Sequence, residues 1–443
     1  MRWPSRDSWS SVGTAGLGAV LGGLVGSFVV VAVTLVLKAG MDFCASQPLW
    51  YAVLVPLLGL AVAVLVLQGL GKTATPRSDT ARLPAWRAFP PSAIRADISG
   101  DVVDSAGEEE RFPWRLAPLR TLAILATVAS GGAMGTEAPA AYLGVAAGAW
   151  LGDRGRWWRR LLRPAAVAGG AAGVAALMAI PLVGTAFMLE LGRRRQAPLS
   201  VERVTAALIG GVIGWAINTA FGLNLIRLVV PKEAPSPPGT FMKAAITALF
   251  IGALSGAISS IASVAVYRAK NWQASPAVRL ALGGAAAIAT TLLIAKIASP
   301  SAAVGPGGGA ILWAENVNAL PVTLLAVCLL RAAATTAAVA AGGCGGVFVP
   351  FLAVGDLAGR VFAPGLGVGN DLAGAAGAAG GIAGGYHLPL TAVAMVLGVG
   401  GPPLATLTCL ATVVIAFYAG SGAEAGLEKV QALLAARRHA PVH

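Results

Sequence analysis

The chain has 443 residues, 56% of them hydrophobic and 12% charged, with a mean hydropathy of +0.76; soluble domains carry about 25% charged residues, so a soluble fold is excluded and a polytopic membrane protein is expected. The net charge of +13 does not point to nucleic acid, because the arginines crowd into short loops such as "DRGRWWRRLLRP" (153–164) and "GRRRQ" (192–196), the pattern of cytoplasmic flanks of membrane spans. Cys44, Cys328, Cys344 and Cys409 have no paired spacing and the three histidines form no ligand set, so no disulfide framework, metal site or cofactor is expected.

From the N-terminus, a short tail (1–12) precedes an apolar run over 13–37, and a second run covers 50–70; each is long enough to cross about 30 Å of hydrocarbon. The first run is too long for the apolar region of a cleavable signal, so none is expected. Residues 71–120 hold mixed charges and the prolines Pro76, Pro84, Pro90, Pro91 and Pro113, and are expected to form a solvated connector. Apolar segments then fill most of 117–420.

An internal duplication organises those segments. Gly135-Thr136-Glu137-Ala138-Pro139 aligns with Gly346-Val347-Phe348-Val349-Pro350 at an offset of 211 residues, and Gly144 and Gly148 then fall on Gly355 and Gly359 without a gap. A second block, "IPLVGTAFMLEL" (180–191), resembles "LPLTAVAMVLGV" (388–399), and the two blocks recur in the same order. The expected organisation is a first membrane repeat over 13–230 that includes the connector, a second over 231–422, and a C-terminal helix or tail over 423–443. Repeated halves commonly build a transporter whose site lies near the bilayer midplane, where broken helices from both halves meet.

Each Gly-x-x-x-Pro block reads as an irregular stretch leading into a helix of about 12 to 16 residues, with proline in its first turn. A helix that starts inside the membrane offers unpaired N–H groups and the positive end of its dipole, and glycine lets another group come close. Such a terminus binds an anion without a lysine or arginine. Glu137, a carboxylate in an otherwise uncharged stretch, can occupy that site itself and leave when protonated or when an anion competes, which makes it a tethered gate. Its counterpart Phe348 offers a wall for the path.

These motifs resemble the CLC chloride channels and proton-coupled chloride transporters. "GTEAP" (135–139) looks like the family's Gly-Lys/Arg-Glu-Gly-Pro segment, "GVFVP" (346–350) matches Gly-x-Phe-x-Pro, "IPLVGTAFMLEL" is similar to its Asn-Ala-Pro-Leu-Ala-Gly helix and "HLPLTAV" (387–393) to Arg-Ala-Pro-Leu-Thr-Gly. The resemblance implies an all-α fold of two inverted repeats with broken and re-entrant helices, a pore in each subunit of a homodimer, and transport of chloride or a similar small monovalent anion. It carries the gate onto Glu137. It also implies an outer site on the backbone around Gly135, Thr136 and Ala138, and a central site on the amides of Val347 and Phe348, flanked by Gly346 and Val349.

Departures from the family pattern are equally specific. Leu70, in "GLGK" (69–72), stands where the family has a serine that touches the anion, and leucine donates no hydrogen bond. Leu191 occupies the place of the internal proton glutamate, with Glu190 as a neighbouring candidate for the proton pathway. Tyr418 is the nearest candidate for the family's late anion-coordinating tyrosine, although it comes early, and Ala138 follows the gate where the family favours glycine. No nucleotide-binding regulatory domain is expected after the spans. Passive conduction and proton-coupled antiport of chloride or fluoride both remain open.

Two rival classes fit less well. A membrane-embedded enzyme wants clustered acids or a metal set, whereas Glu137, Glu190, Glu315 and Asp356 are scattered, so the chain is not expected to be an enzyme. A sodium-coupled symporter with inverted repeats would be separated by sodium dependence. The expected setting is a multi-pass protein among the lipids of a bacterial inner or plasma membrane, with a small anion as its partner.

Overall fold

The computed structural model describes residues 6–70, 114–152, 162–194, 199–232 apart from Asn224 and Arg227, and 239–438, together with Ile98, Val102 and Phe112. In lipid every backbone group must be satisfied internally, and these apolar runs answer with helices. The first half contains α1 (Arg6–Ala45), α2 (Leu49–Leu65) closed by a π-turn (Val66–Leu70), α3 (Ala117–Ile124) closed by a second π-turn (Leu125–Ala129), α4 (Glu137–Gly152), α5 (Leu162–Met178), α6 (Pro181–Arg194) and α7 (Val201–Ala220). The second half contains α8 (Thr240–Asn271), α9 (Pro276–Ile297), α10 (Pro300–Ala303), α11 (Gly308–Asn316), α12 (Pro321–Ala340), α13 (Phe348–Arg360), α14 (Ala363–Leu366), α15 (Asn370–Gly385), α16 (Pro389–Val399) and α17 (Pro403–Arg438). Among the described residues, six helices are long and apolar enough to cross a membrane.

The duplication read from the sequence is reproduced bond by bond. After α3, Gly131 donates to Val128 O and Gly132 to Thr127 O; 211 residues later Gly342 donates to Val339 O and Gly343 to Ala338 O. Gly131 and Gly342 hold φ of +87° and +94°, a left-handed turn that only glycine adopts freely. In the second block the two non-glycine residues with positive φ among those described are Ala179 (+57°) and His387 (+52°), each two positions before the proline that opens α6 or α16. An L-residue there costs roughly 1–2 kcal/mol, so the same strained entry is retained in both halves.

Packing follows the same symmetry. Gly144 and Gly148 of α4 lie against Gly169 and Ala165 of α5, while Gly355 and Gly359 of α13 lie against Gly377 and Ala373 of α15. Glycines four residues apart bring the backbones together, which is how helices associate tightly in lipid.

Each half also buries an arginine at repeat-equivalent positions. Arg120 of α3 lies over the Tyr142 ring at 5.2 Å. Arg331 of α12 donates to the carbonyls of Ala303 (2.9 Å) and Gly305, at the C-terminal end of α10. The Arg331→Met variant strips those acceptors of their donor, at about 1–3 kcal/mol for each buried acceptor left unpaired. A clear fall in the thermal midpoint of the detergent-solubilised protein is expected; an unchanged midpoint rules out a net stabilising role.

The expectation of a solvated connector over 71–120 is corrected at its C-terminal end. Ile98, Val102 and Phe112 are buried, Phe112 rests 5.2 Å from the Tyr142 ring, and α3 already begins at Ala117. The apolar residues interleaved with the charges find the core. The remainder of 71–113 lies outside the described residues.

Candidate anion site between the two repeats

The two Gly-x-x-x-Pro loops meet. Gly135 donates to Gly346 O at 2.7 Å and Gly346 to Gly135 O at 2.8 Å, an antiparallel bridge between residues that the repeat makes equivalent. A reciprocal pair of this kind places a local two-fold axis between them. From the bridge the chain passes through Thr136 into α4 and through Val347 into α13, so both helix N-termini open beside it. Cys344 N donates to Thr127 Oγ1 at 3.0 Å and ties the loops a second time. The N-cap residue of α13, Val347, has no side chain that caps the helix, which leaves its first amides to groups from across the bridge.

Glu137 is 1% exposed. Its Oε1 accepts from Thr136 N at 3.1 Å, and the Val349 amide from the other repeat lies beside the carboxylate. The carboxylate rests over both bridge glycines: a Cβ built on Gly346 would stand 2.8 Å from Oε2, and one on Gly135 2.8 Å from Oε1. The group thus fills the space between the two helix N-termini, where dipole and N–H donors favour negative charge. Any small anion seated there must displace it or wait until it is neutralised. Ala138 is buried beside Glu137, and its amide lies 3.0 Å from a Cβ built on Gly346.

Phe348 is buried and makes edge contacts with Phe187 of α6 (6.0 Å) and Tyr386 at the end of α15 (5.8 Å). Tyr386 also packs on Phe351 at 6.1 Å. It is the tyrosine that the fold brings to this layer, and sequence reading missed it because only the helix α15 carries it there. Tyr418, the candidate from sequence, is 70% exposed on α17 with its ring against Phe417, so it does not contribute to the buried site. The α17 helix continues past it without a break, leaving no turn to swing the phenol inward.

Glu190 serves α16. Its Oε1 accepts from Leu390 N at 2.7 Å, and its Oε2 from Thr391 N at 2.8 Å and Thr391 Oγ1 at 2.6 Å. A carboxylate on the first amides of a helix caps it and complements its dipole. Leu191 beside it is buried.

A vestibule of about 530 Å³ reaches the site loops, lined by Leu67, Gln68, Met134, Gly343, Gly345 and Val347 and by Lys270 and Arg279. Arg279 is fixed there by donating to the carbonyls of Ala340 (2.9 Å) and Val339 (3.1 Å). Cationic walls around a cleft concentrate anions. Leu70 ends the π-turn that begins at Val66; its side chain lies outside the described residues.

Comparison with known proteins places this geometry. A family profile described as voltage gated chloride channel matches residues 95–421. The chain is 26% identical over 272 residues to a protein named H(+)/Cl(-) exchange transporter ClcA from Yersinia pestis bv. Antiqua (strain Angola), covering 59% of this chain and 54% of that one. It is also 26% identical over 279 residues to the namesake from Salmonella paratyphi A, covering 62% and 58%. The chain therefore spans little more than half the length of these curated relatives. Its fold is similar to a crystal structure of a CLC-type fluoride/proton antiporter (TM-score 0.69, 20% identity, 94% of this chain and 96% of that one). A slow cyanobacterial Cl-/H+ antiporter is similar to the same degree (TM-score 0.67, 18% identity, 95% and 98%).

Proposed function

Because the chain belongs to the voltage-gated chloride channel family, we propose that it carries a small monovalent anion, chloride first, across the membrane in exchange for protons, with Glu137 as the gate. The observation that carries this reading is the Glu137 carboxylate seated between the Gly135–Gly346 bridge and the N-termini of α4 and α13. A charged carboxylate there excludes an anion, and a protonated one releases the seat, so the same group sees both ions. The two helix termini compensate the anion's charge at low dielectric, and weak backbone sites let it leave again.

The names of the two curated relatives and of the two structural neighbours above, each a proton-coupled exchanger, support coupled exchange over passive conduction. Passive conduction is the second reading, favoured by Leu191 in place of an inner acid. Fluoride is the alternative anion, since Leu70 supplies no hydroxyl. The Arg-rich loops following α4 and α6 favour placing those helix ends on the cytoplasmic side of a bacterial plasma membrane, and a homodimer with a pore in each subunit is proposed from the family.

The test is efflux from proteoliposomes loaded with chloride, or in parallel with fluoride, with external pH recorded in the same cuvette. Anion efflux accompanied by proton uptake into the vesicles is expected. Efflux without proton movement replaces exchange by conduction, and no efflux of either anion removes the assignment.

A further inference from the structure

Proton exchange through Glu137 needs a way for protons to enter from the cytoplasmic end of the route, and Leu191 offers no titratable group there. Phe187, Phe348 and Tyr386 form a layer of edge-to-face rings beside the α13 N-terminus that receives Glu137. The residue after Tyr386 is His387, whose Nε2 lies 3.0 Å from Glu424 Oε2 on α17. Their side chains are 30% and 43% exposed, so this pair reaches the protein surface while its neighbour in the chain, Tyr386, touches Phe348.

We propose that the His387–Glu424 pair is the inner proton port of this transporter, an inference that rests on the proton-coupled reading above. Three observations converge on it. The pair stands at the N-terminus of α16, the end that Glu190 caps, and Glu190 lies three positions before Arg193, where the Arg-rich stretch closing α6 begins. The charged side chains described on the helices packed around His387 are Glu190 and Arg193 from α6, Lys243, Arg268 and Lys270 from α8, Asp371 from α15 and Glu424, Glu428 and Lys429 from α17. Among the described residues, Glu424 is the one within hydrogen-bond reach of the imidazole. Glu190 meanwhile has both oxygens committed to Leu390 and Thr391, and protonating it would uncap α16. Finally, His387 is held at φ +52°, a strained conformation for a side-chain-bearing residue, where glycine would fit without cost.

The step is a proton transfer only. Neutral His387 takes a proton from the cytoplasmic solution while Glu424 stays ionised and stabilises the imidazolium. The imidazolium then returns to neutral by passing its proton inward past Tyr386, and the Glu137 carboxylate accepts it to become the acid.

The experiment compares full-length native protein, His387→Gly and Glu424→Gln in the same proteoliposomes and reads protons moved per chloride. Glycine adopts the φ of +52° without strain, and 50 mM imidazole inside the vesicles fills the space it opens. The ratio is expected to fall roughly tenfold or more in both variants, as on losing a general acid–base group, and to recover with imidazole in His387→Gly alone. If His387→Gly fails to reconstitute, Glu424→Gln decides by itself. A native ratio in either reconstituted variant, or no imidazole recovery, overturns the port; a native protein that moves chloride without protons overturns instead the coupled reading beneath it.

Discussion

Glu137→Gln is expected to abolish proton movement completely while chloride still crosses. Glutamine keeps the shape of the side chain and removes its charge and its proton. In the native protein the carboxylate accepts from Thr136 N at 3.1 Å and shares its seat with the Val349 amide of the other repeat. A hydrogen bond to a charged acceptor contributes about 1.5–3 kcal/mol, which is a roughly 10- to 150-fold preference for the seated carboxylate over an empty seat. The neutral amide loses most of that preference, and half of its polar surface is a donor facing other donors. An external anion then competes with a weak occupant instead of a strong one.

The pH dependence follows with its sign. In the native protein acidification converts the seated carboxylate to the acid and frees the site, so anion flux is expected to rise as pH falls. In Glu137→Gln the flux is expected to be flat with pH, at or above the native rate in acid. The measurement is chloride efflux with simultaneous external pH between about pH 4 and 8. Persistent proton uptake by the variant would sink the assignment of Glu137, because no other carboxylate lies at the bridge among the described residues.

Residues that break helices made the site legible in the sequence. Gly135, Pro139, Gly346 and Pro350 mark where two helices start, and their common offset predicts that the starts are equivalent; the reciprocal bridge is that equivalence in space. The strained pair Ala179 and His387 was hidden, because neither residue type announces a left-handed turn as glycine does. Equally hidden were Tyr386 against Phe348 and Glu190 on the α16 amides, contacts between segments about 40 and 200 residues apart whose approach depends on how the halves fold over one another. The offset of 211 also relates Arg120 to Arg331, a match visible in the sequence only once burial shows that both are enclosed. The polar connector misled because its charges dominate its composition, whereas Ile98, Val102 and Phe112 within it are buried.

Gly346→Ala should cost nearly all transport, through sterics alone. Gly346 does not hold a left-handed φ, so alanine is conformationally allowed and the bridge bonds to Gly135 can form. The added methyl, however, would stand 2.8 Å from Glu137 Oε2 and 3.0 Å from Ala138 N. The first neighbour is the end of a side chain that can turn away; the second is backbone at the start of α4 and cannot. The methyl therefore remains in the seat that carboxylate and anion share, and a monovalent anion of similar size to the carboxylate loses both the space and the close approach to the amides. A loss of chloride flux of at least tenfold is expected, equivalent to about 1.4 kcal/mol or more on anion occupancy. The Gly346→Ala, Glu137→Ala double variant separates the two neighbours. If the methyl hindered only the gate, removing the gate's side chain would restore flux; since it also narrows the anion's own seat, the double variant is expected to stay slow while Glu137→Ala alone conducts. Native flux in Gly346→Ala would mean that the anion passes elsewhere than between the two glycines.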